Sequence, residues 1–161
     1  MERYLWSAAA VVALLILQTT FIPFLSLGGV LPDLLLLWVV IYAIRHGQIE
    51  GMVAGFVIGL MEDLLTTQFF GLSALTKTIA GFASGYFFNE NKTLQTLGTY
   101  RLVLIVLGIS LLHNVVRSVI VLQGSPALSV STVIELSAAA AAYTTAVGAL
   151  PMFYFSRFQT A

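Results

Sequence analysis

Charge is the scarcest feature of this sequence: Asp, Glu, Lys and Arg make up 9% of its 161 residues, where a soluble domain usually carries about a quarter. Cysteine is absent, which removes disulfides, thiolate nucleophiles and Cys-based zinc or iron–sulfur sites together. Compartment must therefore be read from topology rather than redox chemistry. Seven basic and seven acidic residues cancel to a net charge of zero, so no charge excess points to nucleic acid or an acidic substrate. HExxH, P-loop and GxSxG motifs are all missing, and the only histidines are His46 and His113. Nothing in that set supports catalysis, so no catalytic residue, cofactor or metal is expected. What the chain has instead is apolar surface: 59% hydrophobic residues, 12% aromatic, and a mean hydropathy of +0.98. Fourteen charges are too few to coat a soluble core of this size. The composition predicts an integral membrane protein.

A helix crossing the hydrocarbon needs about 20 mostly apolar residues. Breakers divide the sequence into six candidates, at about 4–22, 32–44, 47–65, 71–88, 100–122 and 131–155. The expected fold is an all-α, six-transmembrane-helix bundle forming a single domain. The first run follows Arg3 and resembles a secretory signal, but it is long and lacks a small-x-small cleavage site before Pro23, so it reads as retained. The second is short, about 13 residues or ~20 Å, and needs local thinning or buried ends. Only residues 89–99, with Asn89, Glu90, Asn91 and Lys92, read as a true aqueous loop.

Orientation follows from the loop cations. Arg3, Arg45, Lys92, Arg101 and Arg157 share one side of a six-span chain, while the opposite loops (23–31, 66–70 and 123–130) hold no Lys or Arg. Both termini are therefore expected in the cytoplasm. Tyr4, Tyr42, Tyr86, Tyr100 and Tyr154 fall near the same ends, as an interfacial belt should, and Tyr143 lies mid-span.

Gly47, Gly51, Gly55 and Gly59 recur every four residues, which puts them in one stripe along the third span. Gly81 and Gly85 repeat the theme on the fourth, and residues 138–142 are a run of alanine on the sixth. Membrane helices associate through close packing, and small residues allow it. The stripes are read as the protein's own seam between spans three and four, with the alanine run equally able to receive a partner helix.

The remaining ionisable residues are Asp33, Glu62, Asp63, Lys77, Arg117 and Glu135, joined by His113. In the predicted topology all lie in the outer half of the membrane or at its outer surface, with Lys77, Arg117 and Glu135 ~6–14 Å below that surface. Charges at such depth normally face the bundle interior and are paired. Asp63 continues the glycine stripe of span three and Lys77 precedes that of span four, and helix side chains lean toward their own N-terminus. This predicts a buried Asp63–Lys77 pair, and the same argument joins Arg117 to Glu135, with His113 one turn from Arg117. Asp33, after Pro32, is placed in the first turn of span two, where the helix dipole favours an anion, and Glu62 is read as reaching the outer headgroup layer. Two bases against four acids leave this layer at about −2. It serves either as an ion-pair network fixing helix register or as an outward polar pocket for a ligand or partner.

The stretches Leu17-Gln18-Thr19, Gly29-x-x-Pro32-Asp33-Leu34-Leu35-Leu36-Leu37, Gly51-x-x-x-Gly55-Phe56-x-x-Gly59-Leu60-x-x-Asp63 and Gly71-Leu72-x-Ala74-Leu75-x-Lys77 resemble the bacterial rod shape-determining MreD family. Length and hydropathy match over the whole chain, and the specific motifs cover residues 17–85. The resemblance implies a non-enzymatic inner-membrane subunit of the cell-elongation machinery whose partner is the bitopic protein MreC. Alongside stand the actin-like MreB, a SEDS glycosyltransferase and a class B penicillin-binding transpeptidase. It also implies a fold similar to the substrate-binding subunit of energy-coupling-factor transporters. Two functions follow: a scaffold for the MreC helix in peptidoglycan synthesis and cell shape, or a transporter-type subunit holding a small solute or lipid in an outward-facing pocket.

Overall fold

The computed structural model describes residues 2–21, 24, 31–66, 69–121, 123 and 130–156. Its helices are α1 (Glu2–Thr20), α2 (Leu34–His46), α3 (Gln48–Thr66), α4 (Leu72–Gly85), α5 (Thr93–Leu97), α6 (Tyr100–Val121) and α7 (Val130–Ser156), and no strand occurs among the described residues. The expected span ends Ile22 and Leu122, the motif residue Gly29 and the cation Arg157 lie outside the described residues, as do the side chains of Arg3, Tyr4 and Tyr154.

The short second helix is the centre of the molecule. Its sequence is apolar on every face, as a helix buried all round must be. Leu35, Leu36, Val39, Val40, Ala43 and Ile44 are each at most 1% exposed, and α2 packs against α1, α3, α4, α6 and α7. It begins two residues later than the expected span. Asp33 is the N-cap in extended conformation, with Pro32 outside the helix, so Asp33 does not stand in the first turn as expected. At the other end Gly47 alone separates α2 from α3, at φ +99°, a backbone state that a side chain disfavours.

The α3–α4 hairpin is the tightest seam. A Cβ on Gly55 would run into the Lys77 carbonyl, one on Gly59 into the backbone of Ser73 and Ala74, and one on Gly81 into the backbone of Gly51. A Cβ on Gly85 would meet the Gln48 backbone, and one on Gly51 would lie 2.8 Å from the Gly81 carbonyl oxygen. These five glycines therefore set α3 and α4 backbone to backbone.

Residues 89–99 depart from the expected aqueous loop, because they contain α5. The Asn89 carbonyl accepts the Lys92 amide at 3.0 Å and the Thr93 hydroxyl at 2.7 Å, which starts the turn. Leu97 is then 0% exposed, wedged into the core cluster with Ile44, Leu102 and Val106. One apolar side chain in a polar segment is enough to fold it inward.

Among the described residues two helices, Tyr100–Val121 and Val133–Met152, are long and apolar enough to cross a membrane, and Ala9–Thr20 and Leu34–His46 are shorter apolar helices. α3 holds Glu50, Glu62 and Asp63, and α4 spans only 14 residues, so length and composition alone do not mark either as a span. The exterior is nonetheless apolar: Val53, Phe56, Leu64, Phe82, Leu104 and Leu150 each expose at least half of their surface, while Lys77, Ser84, Ser110, His113 and Ser137 are buried. Water would penalise that arrangement and hydrocarbon favours it.

Candidate functional site: a polar cluster fed by six helices

Lys77 is 0% exposed. Its backbone sits on the glycine seam at the level of Gly55, so its side chain runs off the seam toward the N-terminal end of α4. There Nζ lies 2.7 Å from Asp33 Oδ2 and 2.6 Å from Glu62 Oε2. Asp33 does double duty, because its Oδ1 accepts the Leu36 amide at 2.8 Å and caps α2. Its own amide donates to the Thr144 hydroxyl of α7 at 3.1 Å. Gln18 of α1 closes the other side: its Nε2 donates to Asp33 Oδ1 at 3.3 Å and Glu62 Oε1 at 3.4 Å, and its Oε1 accepts the Leu35 amide at 3.1 Å. His113 of α6 brings Nε2 to 3.6 Å from Asp33 Oδ2.

Each of the six long helices thus contributes one polar group. Arg117, one turn beyond His113, is near enough for its charge to act on Glu62 and His113. Within the cluster itself two carboxylates, Asp33 and Glu62, stand against Lys77, with Arg117 nearby. The ammonium of Lys77 fills the centre, so the groups are engaged with one another. Among the described residues no set of three or more His, Asp or Glu side chains is arranged to hold a metal ion.

Two expected pairs are not formed. Asp63 does not meet Lys77: its carboxylate accepts the amides of Gly71, Ser73 and Ala74, each at 3.0 Å, and so caps α4. The seam explains why. Gly59 lies against Ser73 and Gly55 against Lys77, which puts Asp63 two helical turns, ~12 Å, beyond the level of Lys77. Among the described residues no ion pair joins Arg117 to Glu135. α6 and α7 face each other instead through the Ser118 and Ser137 hydroxyls, 3.5 Å apart. Glu135, two residues and therefore ~200° around α7 from Ser137, is exposed. Glu62 does not reach outward either, being 7% exposed.

Gln18 and Thr144 are the members that residue-by-residue reading missed. Gln18 did carry a signal, an amide inside an otherwise apolar run, whereas Thr144 is hidden among small residues.

A second feature lies on the flank. Val11 and Val12 of α1, Trp38 of α2, and Val53, Val57 and Met61 of α3 line an apolar groove with a volume of about 510 Å³. At its far end the exposed carboxylate of Glu50 accepts the Tyr42 hydroxyl at 3.3 Å.

Compared with curated proteins and with solved structures, the chain matches none. Against family models, residues 3–155 match rod shape-determining protein MreD, and with nearly the whole chain covered, the protein belongs to the MreD family of rod shape-determining proteins.

Proposed function

We propose that the protein is a six-span scaffold of the bacterial inner membrane, with both termini in the cytoplasm, that holds the transmembrane helix of MreC. It thereby couples the cytoplasmic MreB filament to peptidoglycan synthesis by a SEDS glycosyltransferase and a class B penicillin-binding transpeptidase. The family is one of shape-determining structural proteins rather than a known enzyme family, and the reading is accordingly non-enzymatic. The observation that carries it is the apolar groove opening sideways between α1, α2 and α3. A bitopic helix has the right shape for it, and one that enters from the cytoplasm brings Lys or Arg at that end, where Glu50 supplies the opposite charge. The polar cluster favours the scaffold over a solute-binding subunit, because the Lys77 side chain occupies its centre.

Photocrosslinkers at Val53 and Val57 test this reading, with one at Leu104 on α6 as the control. The expected result is an MreC adduct from the groove positions and none from Leu104. Recovery in mild detergent of a bound small molecule, with no MreC adduct at any position, overturns it in favour of the transporter-type reading. Reporter fusions test the span count: Gln68 and Pro126 are expected outside, and Asn91 inside.

A further inference from the structure

A second cavity lies at the end of the molecule that carries Arg45 and the α4–α6 connection, away from the groove and the polar cluster. It has a volume of about 450 Å³ and its wall divides by chemistry. One side is basic and polar, with Lys92 and Arg101 beside Asn89 and Thr96. The other is apolar, formed by Phe87, Leu104 and Ile105. Both cations are exposed at the mouth, and Leu104 and Phe87 expose 59% and 46% of their surface below it. Among the described residues no carboxylate lines the cavity; Glu90, on the same connection, is not among the wall residues.

The positive-inside bias accounts for cations at this end, but not for two of them set beside one apolar wall. Arg101 stands in the first turn of α6, a 22-residue helix with no acidic residue in that turn. A cation there opposes the helix dipole, which favours an anion. Lys92 precedes α5 and its side chain makes no capping hydrogen bond. Thr96, 8% exposed, stands in the same wall. A phosphate at the mouth would answer both cations and set a negative group at the α6 N-terminus, with the Thr96 hydroxyl in the same wall.

We propose that this cavity binds an anionic phospholipid, with the phosphate between Lys92 and Arg101 and an acyl chain along Phe87, Leu104 and Ile105. The apolar wall selects a lipid over free phosphate, which has nothing to place there. Basic pockets between transmembrane helices are suited to anionic headgroups, with each Lys or Arg worth about fivefold in affinity. The site stands independently of the scaffold reading; only its assignment to the cytoplasmic leaflet depends on the proposed topology.

Native mass spectrometry of the full chain in detergent tests it, with phosphatidylglycerol, phosphatidylethanolamine and inorganic phosphate titrated separately. The expected result is a phosphatidylglycerol adduct at lower concentration than either of the others. The Lys92→Gln/Arg101→Gln protein should need roughly 30-fold more lipid, two basic contacts at about fivefold each. Both side chains are exposed, so the variant should fold, and Arg45→Gln, a cation outside the cavity, should leave the titration unchanged. Equal occupancy by phosphatidylethanolamine, undiminished binding by the double variant, or phosphate displacing the lipid at equimolar concentration would each overturn the proposal.

Discussion

Lys77 and Asp33, 44 positions apart in the chain, meet with Nζ 2.7 Å from Oδ2. The contact joins the second turn of α4 to the residue that caps α2, so one carboxylate both starts the central helix and neutralises the buried ammonium. Lys77 is shared with Glu62 at 2.6 Å, and removing it strands two buried carboxylates rather than one.

Lys77→Met should therefore lower stability by about 3–5 kcal/mol, the usual consequence of leaving buried charge uncompensated. Thermal unfolding in detergent reads it. A double-mutant cycle separates the partners. Lys77→Met with Asp33→Asn should show coupling above about 1 kcal/mol, and Lys77→Met with Asp63→Asn should be additive within about 0.5 kcal/mol. Coupling to Asp63 as large as that to Asp33 would contradict the arrangement.

Asp63 acts on a different part of the hairpin. It accepts three amides at the start of α4, so Asp63→Ala should cost about 0.5–2 kcal/mol, as other helix caps do. Asp63→Asn, which keeps one acceptor oxygen, should recover part of that. Hydrogen exchange should speed up at Gly71, Ser73 and Ala74 while the amides around Leu36 stay protected.

Not all glycines are equal. A Cβ at Gly55 meets the Lys77 carbonyl and backbone, whereas at Gly108 nothing lies within 4 Å. Gly55→Ala should open the α3–α4 seam and lower the melting temperature by several degrees, because backbone cannot step aside as a flexible side chain does. Gly108→Ala should be neutral or raise it slightly, by the helix propensity gained, at most about 1 kcal/mol. Equal effects at the two positions would remove the packing argument.

What the sequence makes visible here is local. A glycine every fourth residue is a pattern within one helix, and so is a charge lodged in an apolar run; both are legible in the order of residues alone. Which charges meet is a property of register between helices, and register is set by how deeply Gly51, Gly55 and Gly59 nest against α4. A shift of two turns separates the expected Asp63–Lys77 pair from the Asp33–Lys77–Glu62 triad. Facing is equally non-local: the contact of Ser118 with Ser137 turns Glu135 away from Arg117, and no spacing along α7 reveals it. α5 is hidden for a third reason, since five residues are too few to show a period, and Leu97 is buried through contacts with distant helices.

Gln18 offers the sharpest test of whether the cluster binds the bundle together. Its amide donates to both carboxylates and its carbonyl oxygen accepts the Leu35 amide, and the packing of α1 is chiefly against α2. Gln18→Leu keeps the side-chain volume but leaves each of those partners short of a hydrogen bond, at about 1–3 kcal/mol for unsatisfied buried groups. The loss should fall on α1 rather than on the hairpin. Cysteines placed at Val11 and Leu15, both buried, should become reactive to a small membrane-permeant maleimide in the Gln18→Leu protein, while one at Ile58 on α3 should react no faster than in the parent. Gln18→Glu separates hydrogen bonding from shape: it retains the acceptor for Leu35 but sets a third carboxylate against Asp33 and Glu62, so it should destabilise more than Leu does. If Gln18→Leu leaves α1 as protected as in the parent, the apolar contacts of Val11 and Leu15 alone hold that helix, and the amide is incidental.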